Sequence, residues 1–186
     1  MKKVILGMMA VALIVGAAFG GYYWGGGGEV PPLAEAETVT IVDSAGREVE
    51  VPYPVERVVA LHTDVAEAIR ALGAKDRIVG VTKYMAGEPE FWPDLKDKPN
   101  CGSSFKPDYE KIIELNPQVV IVYSGTFGFS APTELEEKME PAGIKVVKLD
   151  CYKPLTMARD ISTLAVSYTH LRAHETSLHL VCRLLL

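Results

Sequence analysis

Hydrophobic and polar positions change their period along the chain, and the changes predict alternating strands and helices. Residues 38–42 and 48–51 alternate on either side of a polar turn, which predicts a β-hairpin. Residues 119–122 are apolar without alternation, as in a parallel strand that is covered on both faces. Further strands are predicted at residues 57–61, 77–81 and 144–149, and helices at residues 65–72, 88–95, 107–115, 133–140 and 155–165. This order predicts an α/β fold with a parallel sheet.

The predicted helices begin at residues that favour helix starts. Thr63 or Asp64 is placed to cap the helix that follows the first core strand. Pro107 suits the first position of a later helix, because its missing N–H leaves no bond unmade there. Thr133 and Glu136 have the spacing of a capping box. These residues predict where three helices start.

Polar and aromatic side chains follow the carboxyl ends of the predicted strands. Open α/β sheets bind ligands at this edge. The loops there combine aromatic faces with hydroxyl and ammonium groups, a mixture that suits a large planar or macrocyclic ligand. The candidate ligand-binding residues are His62, Thr63, Lys83, Tyr84, Ser103, Ser104, Phe105, Tyr123, Ser124, Thr126 and Phe127.

Composition and motifs exclude several classes of protein. The chain has 19 Lys and Arg against 24 Asp and Glu, with no basic stripe, so nucleic acid is not an expected partner. The turn after residue 61 lacks glycine, and neither Gly-x-Ser-x-Gly nor Cys-x-x-Cys occurs. His62 and Asp64 leave open an acid–base pair in an extracellular α/β enzyme. His62 and Cys101 leave open a binding protein for a bare metal ion or an oxyanion such as molybdate, and Cys101 and Cys151 a disulfide.

The two ends of the chain differ from the middle. Two lysines precede an apolar run, so residues 1–24 are expected to be a signal peptide or a membrane anchor. Residues 25–37 are a Gly-, Pro- and Glu-rich linker. Residues 166–186 resemble the translated read-through of a sequencing adapter, so we interpret them as a non-native tail. The histidines of this tail have a zinc-like spacing, but the resemblance to an adapter removes them as metal ligands.

Four segments carry a resemblance to a known family. Residues 39–49 resemble its opening hairpin, 57–61 its first core strand, 102–125 its helix and apolar strand, and 141–144 a late turn. In this order they are similar to the N-terminal lobe of the substrate-binding proteins of ABC importers for iron complexes, haem and cobalamin. That family has two Rossmann-like lobes, joined by one long helix, that hold the ligand between them without catalysing a reaction.

The resemblance implies an organisation and a set of partners. Residues 38–152 would form the first of two lobes, a parallel-sheet lobe preceded by a hairpin, and residues 153–165 the start of the inter-lobe helix. The implied partners are an ABC permease with its ATPase and a small-molecule ligand: a ferric siderophore, haem or cobalamin. Glu110 matches the glutamate with which this lobe docks on permease arginines; by itself it is a first-turn charge that the helix dipole favours. No cofactor of the protein's own is expected, and the location is extracytoplasmic.

Overall fold

A computed structural model describes residues 37–125 and 131–168 of the chain. Its strands are β1 (Thr38–Val42), β2 (Glu48–Pro52), β3 (Val58–Ala60), β4 (Ile78–Val81), β5 (Gly102–Ser103), β6 (Lys106–Pro107), β7 (Val119–Val122) and β8 (Lys145–Lys148). Its helices are α1 (Thr63–Ala71), α2 (Lys83–Gly87), α3 (Tyr109–Glu114), α4 (Glu134–Met139) and α5 (Met157–Tyr168). Within these two ranges, every helix is too short or too polar to cross a membrane.

A parallel sheet of four strands organises the described residues, in the order β4–β3–β7–β8. Val59 lies opposite both Gly80 and Val120, and Val120 lies opposite Val146. The four carboxyl ends therefore meet at one edge of the sheet. β1 and β2 form an antiparallel hairpin, and β5 and β6 form a second, very short one. The α/β lobe with an opening hairpin, predicted from the sequence, is confirmed.

Apolar side chains cover the sheet on both sides. The first face packs against α1, α5 and the β1–β2 hairpin through Ile41, Val51, Val58, Ala60, Val65, Ile69, Ile121, Ile161 and Leu164. The second face packs against α3 and α4 through Val59, Leu61, Ile112, Val120, Val122, Leu135 and Met139. All four residues of β7 are buried, as the unbroken apolar run predicts for a doubly covered strand.

A buried carboxylate fastens the opening hairpin to the sheet. Asp43 is fully buried and accepts hydrogen bonds from Arg47 Nη2 at 2.7 Å and from the Lys148 backbone N–H at 3.3 Å. Arg47 also donates to Glu136 at 2.8 Å, and the Lys148 ammonium lies 2.7 Å from the same carboxylate. Thr133 therefore makes no capping bond, and the predicted capping box is wrong, because Glu136 is drawn to these two cations.

The first helix is capped by a residue that the sequence pattern did not indicate. His62 has an extended backbone, and its Nδ1 accepts a hydrogen bond from the Val65 N–H at 3.4 Å. Thr63 is already the first helical residue, and the Asp64 carboxylate accepts a hydrogen bond from the Tyr123 hydroxyl. The expectation that Thr63 or Asp64 caps this helix is therefore wrong.

Two other helix positions also differ from the predictions. Pro107 pairs with Gly102 in the short hairpin, and Asp108 caps α3 by accepting a backbone hydrogen bond at 3.0 Å. The helix predicted at residues 88–95 is instead a series of turns. A helix lies just before them at α2, where Thr82 supplies the cap at 3.5 Å. Strand pairing at Pro107 and helix capping by Thr82 therefore determined where these two helices begin, and the local propensities did not.

Gly102 is the glycine that the short hairpin requires. Its φ is +85°, and a Cβ there would lie 2.4 Å from the Lys106 carbonyl oxygen. We expect Gly102→Ala to lower the free energy of unfolding by about 2–4 kcal/mol. The atom that the new Cβ would meet belongs to the backbone, which cannot move away as easily as the end of a side chain. Gly87→Ala is the control, since a Cβ at Gly87 meets nothing within 4 Å. Equal losses for both variants in urea unfolding would contradict this prediction.

Candidate functional site

The carboxyl ends of three neighbouring strands bring a group of rings together. His62 follows β3, Tyr123 follows β7, and Tyr152 follows β8. The His62 and Tyr123 rings stack with their centroids 4.0 Å apart and their planes at 23°. Tyr152 meets Tyr123 edge-on at 5.9 Å. With Asp64, which bonds to Tyr123, these residues form what we call the edge cluster.

A carboxylate orients the central ring of the edge cluster. The Tyr123 hydroxyl donates to Asp64 Oδ2 at 3.0 Å, and His62 Nδ1 lies 3.7 Å from the same oxygen. The His62 ring and the Tyr123 hydroxyl hold the pKa of Asp64 below its ordinary value of 3.8, although burial opposes them. Burial and the Asp64 charge raise the pKa of Tyr123. Asp64 is therefore an ionised acceptor and Tyr123 a protonated donor at neutral pH.

A second carboxylate holds the residue after Tyr123. Asp150 is buried and accepts hydrogen bonds from the Ser124 N–H at 2.9 Å and the Ser124 hydroxyl at 2.6 Å. Lys153 forms an ion pair with the same carboxylate. Burial raises the pKa of Asp150, but the bonds from Lys153 and Ser124 outweigh it and leave the pKa below its ordinary value. The end of β7 is thus tied to the segment that leads into α5.

Sequence reasoning missed three residues at this edge: Asp150, Tyr152 and Lys153. They follow β8 just as Tyr123 and Ser124 follow β7. The rule that ligands lie at the carboxyl ends of strands applies equally to the last strand. Applying the same rule to β8 would have predicted these three residues as part of the site.

The serine hydroxyls of the β5–β6 hairpin have partners within the protein. Ser104 is buried and donates to the Leu61 carbonyl oxygen at the end of β3. Ser103 is buried and accepts from the Lys106 N–H at 3.2 Å. Phe105, at the tip of the hairpin, has 50% of its surface exposed. The two serines therefore fix a hairpin that presents an aromatic ring to solvent.

Lys83 and Tyr84 lie in the first turn of α2, which contacts β5. Both are exposed, and the Lys83 ammonium lies 5.0 Å from the centroid of the Tyr84 ring. Lys83 also borders an open cavity of about 510 Å³. The other residues that line this cavity are Gly102, Ser103, Lys106, Pro107, Asp108, Tyr109 and Glu110. Two of the predicted ligand contacts, Lys83 and Tyr84, are thus exposed to solvent, whereas His62 is buried and Tyr123 is half-buried.

The remaining predicted contacts have different outcomes. Thr63 is half-buried at the start of α1. Thr126 and Phe127 lie outside the described residues. Glu110 is exposed in the first turn of α3, so its carboxylate is accessible to a partner.

Cys101, predicted together with His62 as a contact for a bare metal ion or an oxyanion, has no exposed surface, and the bare-metal or oxyanion alternative stays a prediction. Cys101 is fully buried and packs among the residues of the second face of the sheet. Burial raises the pKa of the Cys101 thiol to about 11, so without a metal the thiol is protonated at neutral pH. Cys101 and Cys151 are both free, on opposite faces. No group of three metal-binding side chains occurs in residues 37–125 and 131–168.

The lowered pKa of Asp150 makes its contribution to stability depend on pH. That contribution is complete above the ordinary value of 3.8 and is lost as the pH falls through the lower pKa of the folded protein. We expect Asp150→Asn to cost about 2 kcal/mol at pH 7 and progressively less below pH 3.8, measured by thermal unfolding. The exposed Asp97→Asn variant is the control. A cost of Asp150→Asn that stays constant down to about pH 2 would contradict this prediction.

Two proteins of Bacillus subtilis are similar in sequence to this chain. The chain is 32% identical over 92 residues to the probable siderophore-binding lipoprotein YfiY of Bacillus subtilis, covering 48% of this chain and 28% of that protein. It is 27% identical over 142 residues to an uncharacterised ABC transporter substrate-binding lipoprotein, YvrC, of the same species, covering 76% and 43%. The chain thus spans less than half the length of either relative.

A solved structure has the same fold as the described lobe. The iron uptake ABC transporter substrate-binding protein PiuA of Streptococcus pneumoniae matches with a TM-score of 0.59 and 26% identity, covering 81% of this chain and 49% of that one. The partial coverage fits a single lobe. These relatives are named for binding and transport, which confirms the resemblance to ABC-importer binding proteins and assigns the chain to a class without enzymatic activity.

A family model described as periplasmic binding protein matches residues 58–181, about two-thirds of the chain. The match begins at β3 and passes residue 166, where the sequence predicts a foreign tail; α5 also continues to Tyr168. The foreign origin of residues 166–186 stays a prediction. The extent of the match identifies the family: the chain belongs to the periplasmic binding proteins.

Proposed function

We propose that this chain is the N-terminal lobe of the extracytoplasmic substrate-binding component of an ABC importer. Its ligand would be a metal chelate, such as a ferric siderophore or haem, or cobalamin. The observation that carries the proposal is the carboxyl edge of the sheet. There the stacked rings of His62 and Tyr123 lie near loops that present the exposed aromatic side chains of Tyr84 and Phe105. The siderophore-binding name of one relative and the iron-uptake name of another support the choice of ligand class.

The exposed aromatic side chains would supply most of the contact area. Tyr84 and Phe105 each have about half of their surface exposed, 53% and 50%. Large apolar faces at a binding edge suit a ligand that is itself broad and partly apolar. Lys83, beside Tyr84, would attract anionic groups of a chelate.

The residues at the ends of β3 and β7 would give the site its shape. His62, Tyr123 and Ser124 are held by hydrogen bonds and stacking before any ligand arrives, which limits the ordering cost of binding. Ser103 and Ser104 would act by fixing the hairpin that carries Phe105. Thr63, Thr126 and Phe127 belong to the proposal on sequence alone. Capture would be completed by a second lobe that closes over this edge.

The proposed partner is a membrane permease with its ATPase. Glu110 is exposed at the start of α3, two residues after the α3 cap Asp108. Two neighbouring carboxylates on an accessible helix end form a negative patch that suits permease arginines, which bind carboxylates in a bidentate geometry. Residues 1–24 would direct export or hold the protein at the membrane.

Titration of the chain tests the proposed ligand class. We expect saturable quenching of tryptophan fluorescence by a ferric siderophore, haem or cyanocobalamin, without conversion of the probe. Tyr84→Ala and Phe105→Ala should each weaken binding about tenfold, because each removes a large contact face. Phe91→Ala is the matched control, since Phe91 is an exposed aromatic residue outside the proposed site. Saturable binding of molybdate alone would favour the oxyanion alternative, and turnover would favour an enzyme.

Charge reversal at Glu110 tests the proposed docking surface. Glu110→Arg should leave the unfolding free energy within about 1 kcal/mol of wild type, because the side chain is exposed. It should leave the affinity for the probe unchanged, but abolish stimulation of the ATPase of the cognate importer in vesicles. Glu67→Arg, an exposed reversal on α1, is the control. Undiminished stimulation by Glu110→Arg would contradict the assignment.

A further inference from the structure

Cys151 has a backbone conformation that its residue type disfavours. In the described part of the chain, two residues other than glycine have a positive φ, Asn116 at 46° and Cys151 at 54°. Asparagine tolerates this left-handed region because its side chain bonds to the local backbone, whereas cysteine lacks that compensation. Such a conformation persists only where the surrounding contacts impose it, and it occurs preferentially at functional sites.

Cys151 lies just after β8, between two residues that face the end of β7. On one side of it, the Asp150 carboxylate accepts hydrogen bonds from the Ser124 N–H at 2.9 Å and the Ser124 hydroxyl at 2.6 Å. On the other side, the Tyr152 ring meets the Tyr123 ring edge-on at 5.9 Å. The backbone conformation of Cys151 therefore sets the relative direction of two side chains that contact the binding edge.

A buried carboxylate of α5 accepts the Cys151 N–H. Asp160 is fully buried, and its Oδ2 lies 3.3 Å from the Cys151 backbone nitrogen. The same oxygen accepts the Thr156 hydroxyl at 3.3 Å, and Oδ1 accepts from the Arg159 guanidinium at 3.2 Å. Hydrogen bonds to an ionised acceptor are stronger than those between neutral groups. Asp160 therefore anchors the peptide unit that immediately precedes the Cys151 Cα.

Other elements hold the chain only up to the residue before Cys151. The Leu149 N–H donates to the Val122 carbonyl oxygen at 3.0 Å. The Asp150 N–H donates to the Ser44 hydroxyl at 3.2 Å. β7 and the opening hairpin thus fix the end of β8, and α5 adds the contact one residue later, where φ becomes positive.

We propose that Asp160 is a positioning residue of the binding edge. By accepting the Cys151 N–H, it keeps Cys151 in the left-handed conformation, from which Asp150 reaches Ser124 and Tyr152 reaches Tyr123. The inference rests on the proposed function where it concerns ligand binding, and adds to it a residue of α5 that acts through the segment after β8. The position of α5 and the shape of the edge are thereby coupled.

Hydrogen exchange of the Ser124 amide tests the positioning role without a ligand. Asp160→Ala should speed this exchange about tenfold, because Asp150 then loses the geometry with which it holds the Ser124 N–H. The Lys145 amide, which donates to the Gln118 carbonyl oxygen at the amino end of β8, is the internal control for general destabilisation. Asp160→Asn, which keeps the volume of the side chain but removes its charge, should give a smaller change in the same direction. Equal acceleration at Ser124 and Lys145, or none at Ser124, would overturn the inference.

Cys151→Gly tests whether the left-handed conformation is what Asp160 maintains. Glycine adopts a positive φ without strain, so Asp160→Ala combined with Cys151→Gly should return the Ser124 exchange rate to within about threefold of wild type. Asp160→Ala combined with Asn116→Gly is the matched control, because Asn116 also has a positive φ but precedes β7 at the opposite end of that strand. Equal recovery in the two double variants would count against the role of Cys151 and overturn the inference.

Affinity for haem, a ferric siderophore and cyanocobalamin measures the consequence for binding. A probe that binds wild type should bind Asp160→Ala about tenfold more weakly, and the addition of Cys151→Gly should restore most of that loss. Unchanged affinity beside faster Ser124 exchange would overturn the coupling to binding. If none of the three probes binds wild type, the proposed function fails, whereas the exchange rates of Ser124 still decide the positioning role.

Discussion

Coverage of the parallel sheet on both faces is the constraint on which the remaining structure depends. The first face is buried by α1, α5 and the opening hairpin, and the second by α3 and α4. Polar side chains on either face would lose water without gaining partners. They are therefore confined to the ends of the strands, and the carboxyl end gathers rings and carboxylates from β3, β7 and β8.

Two carboxylates make this edge rigid. Tyr123 donates to Asp64, which belongs to α1, and Ser124 donates to Asp150, which follows β8. Consecutive residues after β7 are thus held from two directions by ionised acceptors, which form stronger hydrogen bonds than neutral ones. The aromatic side chains of Tyr84 and Phe105 nearby each have about half of their surface exposed. A binding edge that is ordered in this way would suit the proposed capture of a broad ligand.

The sequence predicted the strands and the sheet well, because an apolar period is a local property. The four apolar residues of β7 alone predict a strand that is covered on both faces. The alternation of polar and apolar residues predicts the opening hairpin. Helix starts were predicted poorly, because capping residues have other partners. Asp64 is recruited by Tyr123, 59 residues away, and Glu136 by Arg47, 89 residues away. Such competition is invisible in a local pattern.

The sequence by itself determined the α/β class, the order of the elements and the edge at which His62 and Tyr123 lie. Only the tertiary structure decided which polar groups form hydrogen bonds within the protein and which remain without a partner in its described part. It placed Cys101 in the core of the second face, buried Ser103 and Ser104 in a hairpin, and left the Tyr152 hydroxyl without a partner in the described part of the chain. The physical reason is that periodicity arises from neighbouring residues, whereas hydrogen-bond partners are chosen by segments that meet only after folding.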